Sequence, residues 1–162
     1  MKKYFFFLIF FLTTFSCFAS NLAIVDISFL LKNSNEGKAI SKEFKSQSEK
    51  NLKIFKKKEK ELKDKENIIA SKKNVLSKED FKKEVQAFSE EVKKYNKERK
   101  EKIDKTNNTN NEKVVKLLKK INSILIDYSK ENNISTALDK KYVIISKSET
   151  DITQNILKIL NK

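Results

Sequence analysis

The chain has no proline, no histidine and no tryptophan, and it has one glycine, Gly37, and one cysteine, Cys17. Each absence excludes a class of chemistry. Without histidine, and with a lone cysteine, neither an ordinary zinc site nor a nucleophile–histidine pair can be assembled. One glycine cannot build a phosphate-cradling loop or a dinucleotide fingerprint. The same scarcity removes the usual punctuation of loops and of many-stranded β folds. What remains is a chain expected to be mostly long helix, with no catalytic residues, no metal and no cofactor.

What is present is charge. Of 162 residues, 36% are charged and 38% hydrophobic, which is polar for a globule built on one core, and the formal net charge is +14. The apolar residues are nevertheless patterned, so the composition does not read as disorder. Residues 1–19 stand apart. Met1-Lys2-Lys3 is a basic start, Tyr4 to Phe15 is apolar, and Cys17-Phe18-Ala19 puts small residues at both cleavage positions, the plan of a cleaved secretory signal peptide. Acylation at Cys17, giving a lipoprotein, is the less favoured alternative, and the run is short of the ~20 apolar residues a membrane span needs. Removing residues 1–19 removes Lys2 and Lys3 and no acid, so the net charge falls to +12. The exported chain then has no cysteine, and disulfides play no part in it.

Leu22-Ala23-Ile24-Val25 reads as a short strand ending at Asp26, the one acid with a buried setting, where capping the next turn explains it better than acid–base work. Ser28 is the expected cap of a brief helix through Leu31, and Ser34 of a second helix with Glu36 in its first turn. Gly37 falls in that first turn, where glycine is unfavourable by up to ~1 kcal/mol. Close approach of another backbone and a simple turn glycine both account for it. From Ile40 one helix can run to about Lys73, with Phe55, Leu62, Ile69 and Leu76 spaced by seven. Such a stripe faces one partner helix. The pattern breaks at Asn74 to Ser77, Ser77 can cap a return helix, and Phe81, Val85, Phe88, Val92 and Tyr95 supply its four-three seam. Two long helices and a tight connection make a hairpin.

The run "KTNNTNNEK", Lys105 to Lys113, is weak in helix formers. Ile103 and Val114 are nonetheless eleven residues apart, three turns on one face, so a continuous but soft helix is expected, with a hinge at Asn107 to Asn111 as the sharper hypothesis. Asn132-Asn133 can end it in left-handed geometry. Ile134 to Asp139 and Tyr142 to Ser146 are strand-length runs readable as a hairpin. Asp151 with Gln154 resembles a capping box that opens a short helix burying Ile152, Ile156, Ile159 and Leu160. The fold expected is α+β and mainly α: residues 20–39 and 112–162 form a small α/β body, and residues 40–111 form a long antiparallel helical-hairpin arm inserted in it. A body that small buries too little surface to stand alone, so oligomerisation is expected.

Residues 40 to 110 hold 22 basic and 14 acidic groups, and every basic residue but Arg99 is lysine. A net positive arm attracts acidic polypeptide or an anionic membrane surface, although lysines interleaved with glutamates also describe an ordinary solvated helix. Nothing resembles a base-reading motif, and nucleic acid is not expected as a partner.

The order of parts carries a resemblance. "AIVDISFLLKNSNEGKAI" followed by Phe44, and the closing "LDKKYVIISKSETDITQNIL", resemble the end motifs of the Skp (OmpH-like) periplasmic chaperones, and with the hairpin between them the likeness covers the whole chain after the signal. The resemblance implies a jellyfish-like homotrimer in which strands of three chains form one body and three arms surround a cavity. It implies a periplasmic, ATP-independent holdase that binds unfolded outer-membrane proteins there and keeps them from aggregating. The body and oligomer contacts would then involve Ile24, Val25, Asp26, Gly37, Leu138, Val143, Ile144, Ile145, Asp151 and Ile156, and diffuse client contact would involve Ile54, Lys72, Lys73, Val75 and Lys78. An envelope coiled-coil spacer, membrane-associated and handling no client, is the alternative.

Overall fold

The computed structural model describes residues 21–162. The expected signal peptide, including Cys17, lies outside the described residues. Strand β1, Leu22–Val25, is buried from Ala23 to Val25 on both faces, as its unbroken apolar sequence requires. Asp26 ends it. Its carboxylate accepts the Phe29 N–H at 2.7 Å and opens helix α1, Ile27–Asn33. Capping therefore falls on Asp26 and not on Ser28, because Asp26 stands one residue before the helix and reaches its third N–H.

Ser34 closes α1 and opens α2, Asn35–Ser71. Its backbone N–H donates to Leu30, and its buried Oγ accepts the Gly37 N–H at 3.1 Å. At Gly37 a β-carbon would fall on the Leu31 carbonyl and lie 2.9 Å from Ser34 Oγ. The glycine thus marks close approach of α1's last turn, the first of the two accounts its position allowed.

Helix α2 ends in a 3-10 turn, Lys72–Asn74. Ser77 then accepts the Asp80 N–H at 3.1 Å and starts α3, Lys78–Glu131. Helix α3 passes unbroken through the Asn/Thr-rich run, with Ile103 and Val114 both half-buried. It stops at Asn132, after which Asn133 takes a left-handed φ of 53°.

Strand β2, Thr136–Asp139, pairs with β1 in parallel, Leu22 opposite Thr136 through Val25 opposite Asp139. Parallel neighbours need a crossover, and here α2 and α3 are that crossover. The expected hairpin does not form. Only its first run is a strand; Lys140–Tyr142 is a 3-10 turn and Val143 to Ser146 has no strand partner. β1 already has β2 along one edge and a parallel bridge from Ile24 to Asp151 on the other.

The last helix, α4, spans Thr153–Leu160. Its start also departs from expectation. Asp151 and Gln154 make no capping box: Asp151 Oδ1 accepts the Thr153 N–H at 3.0 Å, its Oδ2 accepts from Lys140 Nζ at 2.7 Å, and Gln154 is exposed. Ile152, Ile156 and Leu160 are buried as expected, but Ile159 faces outward. Positions 152, 156 and 160 lie four apart on one face, and 159 falls beside it.

One core holds these pieces. Ala23 and Val25 of β1, Leu30 of α1, Ile40 of α2, Leu117 and Ile121 of α3, and Ile152, Ile156 and Leu160 form a single buried cluster. Burying each large aliphatic side chain contributes roughly 1.5–3 kcal/mol. Asp26 N–H donates to Thr153 Oγ1 at 2.8 Å, tying the start of α1 to the start of α4. Beyond Ile40 and Leu117 the hairpin leaves this core.

Candidate functional site

The hairpin outside the core is held by two columns of side chains on α2. Phe55, Leu62 and Ile69, seven apart, are buried against α3, with Leu76 half-buried at the turn. From α3 the seam receives Phe81, Phe88, Val92 and Tyr95, all half-buried; Val85 is 42% exposed and sits at the margin.

The second column was not singled out in the sequence, although it has the same period: Phe44, Asn51, Lys58, Lys65 and Lys72. Below Phe44 every member is polar and reaches across to α3. Asn51, buried, donates to Thr106 Oγ1 at 2.9 Å and accepts from Gln47 at 3.1 Å. Lys58 bonds Glu91 at 3.0 Å, Lys65 bonds the other oxygen of Glu91, and Lys72 bonds both oxygens of Glu84 at 2.9 and 3.1 Å. Alternate seam positions are thus apolar and ionic.

The charges respond accordingly. Hydrogen bonds from Lys65 first, then Lys58, hold the Glu91 carboxyl below its ordinary range, and the Glu91 bond raises Lys58. Tyr95 is raised by burial first and then by its bond to Glu59, 2.9 Å away. The one arginine, Arg99, lies 5.3 Å from the centre of the Phe55 ring, a cation–π contact that covers the seam from outside.

The residues expected to meet a client fall in two places. Lys72, Lys73, Val75 and Lys78 gather at the tip, where Val75 is 82% exposed and Lys72 is engaged by Glu84. Ile54, half exposed, is about 30 Å down α2 at 1.5 Å per residue. Leu52 and Ile68 are exposed at a similar level. These residues form no single pocket, only a scattered apolar series on a charged rod.

Two recesses open along the hairpin between the tip and the core. One, about 340 Å³, has Ile40 and Phe44 as its apolar wall opposite Thr106, Thr109 and Asn110. The other, about 480 Å³, has Ile54, Phe55 and Tyr95 beside Arg99. Lys102 and Lys105 border both.

At the core end, Tyr142, Ile144 and Ile145 project from the segment after β2, the two isoleucines 97% and 89% exposed. Leu138 is also exposed and Val143 is half-buried, whereas Ile24, Val25, Gly37 and Ile156 are buried, and Asp26 and Asp151 are half-buried. No helix among the described residues is long and apolar enough to cross a membrane.

Comparison with known proteins agrees with this architecture. No curated protein matches the sequence. Among solved structures, a candidate outer membrane chaperone (OmpH-like) from Caulobacter crescentus CB15 superposes with a TM-score of 0.79 at 13% identity, over 87% of this chain and 83% of that one. At that identity the likeness speaks for the fold. The family model for outer membrane protein (OmpH-like) matches residues 21–160, nearly the whole described chain, and the protein therefore belongs to the OmpH-like family.

Proposed function

We propose that the protein is a periplasmic holdase chaperone that works without ATP and without covalent chemistry. It shelters unfolded outer-membrane proteins between the arms of a homotrimer. The observation that carries this reading is the hairpin itself: roughly 50 Å of two-helix rod beyond the core, with exposed Ile54, Ile68 and Val75 set among lysines. Broad, weak contact of this kind suits a client without fixed shape, and a thin seam of alternating apolar and ionic layers leaves the rod compliant.

The proposed division is a body of residues 20–39 and 112–162 and an arm of residues 40–111, preceded by a cleaved signal peptide. Self-association rests on Tyr142, Ile144 and Ile145, apolar and uncovered beside a two-stranded sheet. A strand-forming run without a partner is completed when copies of the chain meet. Net positive arms draw acidic clients by long-range attraction.

The test is suppression of aggregation of a denatured β-barrel protein by the chain lacking residues 1–19, near one trimer per client. Full suppression is expected; an envelope spacer would leave the turbidity unchanged. Salt raised from 20 to 500 mM should slow capture and leave release nearly unaltered, as expected for steering. Flotation with anionic vesicles checks a peripheral membrane role.

A further inference from the structure

The two recesses lie in line along one side of the hairpin and share a border, Lys102 and Lys105. Their neighbours' charges are already matched. Lys113 bonds Glu43, Lys58 bonds Glu91, and Arg99 lies beside Glu59. The acids on this side are engaged as well, Glu98 by Lys94 and Glu101 by Lys97, each at 3.9 Å. Among the described residues Lys102 and Lys105 make no ion pair, although both are exposed. Counting the lining side chains, Lys58, Arg99, Lys102, Lys105 and Lys113 stand against Glu43, Glu98 and Glu101, so the groove keeps a net positive charge, with Lys102 and Lys105 outside any ion pair and placed between the Ile40–Phe44 wall and the Ile54–Phe55 wall.

We propose that this groove binds one extended stretch of unfolded polypeptide, with an apolar side chain in each recess and a carboxylate between them on Lys102 and Lys105. The spacing supports that occupant. The recess centres are about ten helical residues apart, on the order of 15 Å. An extended chain advances about 3.3 Å per residue, and its side chains at i, i+2 and i+4 share one face. An apolar residue at i, an acid at i+2 and an apolar residue at i+4 span about 13 Å and present all three groups together. The groove would thus select a short period-two pattern, a preference that broad stickiness along the arm does not supply. This assignment rests on the client-binding reading and deepens it.

The test uses two dye-labelled peptides that differ at the centre, one with the core Phe-Ser-Asp-Ser-Phe and one with Phe-Ser-Lys-Ser-Phe. Each is titrated against the chain lacking residues 1–19 and against the double variant Lys102→Glu, Lys105→Glu. Both sites are exposed on helix α3, and circular dichroism checks that the variant is folded. The native sequence should bind the acidic peptide roughly fivefold more tightly, the size expected for two exposed ion pairs, and the variant should reverse the order. Equal affinity of the native protein for both peptides, no measurable binding of either, or an unreversed order in the variant would each overturn the proposal. Aggregation suppression is measured in parallel. Suppression without peptide preference removes the groove and leaves the chaperone reading; preference without suppression removes the chaperone reading alone.

Discussion

Gly37 and Asn51 show how single residues set the structure at either end of the hairpin's root. At Gly37 the α1 backbone occupies the place a β-carbon would need. Gly37→Ala gains up to ~1 kcal/mol of helix propensity, but the clash is with a carbonyl that cannot rotate away and costs roughly 1–3 kcal/mol. The net expectation is a lower melting temperature by circular dichroism; an unchanged or higher one would show that α1 can shift. Asn51 is a buried amide in a seam whose neighbouring column is apolar. A polar seam residue fixes register at the expense of stability. Replacing the pair, Asn51→Leu with Thr106→Val, should raise the urea midpoint by the equivalent of about 1 kcal/mol, whereas Asn51→Leu alone should gain less. At this scale the sequence was informative where chemistry is scarce: one glycine in a helix's first turn signals a constraint. Asn51 gave no such signal, because asparagine is abundant in this chain and its burial depends on Thr106, fifty-five residues away.

Among the elements, the hairpin was legible and its ionic half was not. Phe55, Leu62 and Ile69 stand out against a polar background, so their spacing predicts the seam. Lys58, Lys65 and Lys72 have the same spacing, but lysines lie on every face of α2 and their period carries no contrast. The ionic layer makes the arm sensitive to pH. Lys65 and Lys58 hold the Glu91 carboxyl below its ordinary value, so the folded arm takes up that proton less readily than the unfolded chain. The stabilisation is complete above the unfolded pKa, about 4.3, and is lost as pH falls through the lower folded value. Glu91→Gln should therefore melt at a lower temperature than the native protein at pH 7, with the gap closing toward pH 3. A gap that stayed constant would mean that the two lysine bonds add nothing. The segment after β2 illustrates the opposite limit. Val143 to Ser146 has strand-forming residues, but a strand also requires a neighbour, and within one chain both edges of β1 are taken. Local preference states what a segment can do and is silent on whether a partner is present.

For the molecule as a whole, the α+β, mainly helical architecture follows from sequence periodicity, while the parallel joining of the two ends does not. Nothing in residues 22–25 or 136–139 specifies their mutual direction, which is set by how a shared core of nine side chains closes around them. The same ends carry the association proposed above. Ile144→Asp with Ile145→Asp places two carboxylates where two isoleucines are exposed and should leave the chain folded, since neither touches the core. Sedimentation should then move from trimer to single subunits, and suppression of client aggregation should fall with it. A variant that remains trimeric would locate the assembly contacts elsewhere.

Because β1 and β2 sit side by side while α2 and α3 bridge them, the rod's reach can be changed without disturbing its root. Excising seven residues from each helix at matched heights, for example 59–65 and 90–96, which face each other through Lys65–Glu91 and Glu59–Tyr95, withdraws two helical turns and restores the phase of every remaining layer. Versions trimmed or extended in such steps would form a set of calipers of graded span on a common base, and under the proposed chaperone function the largest client each protects would measure the volume enclosed.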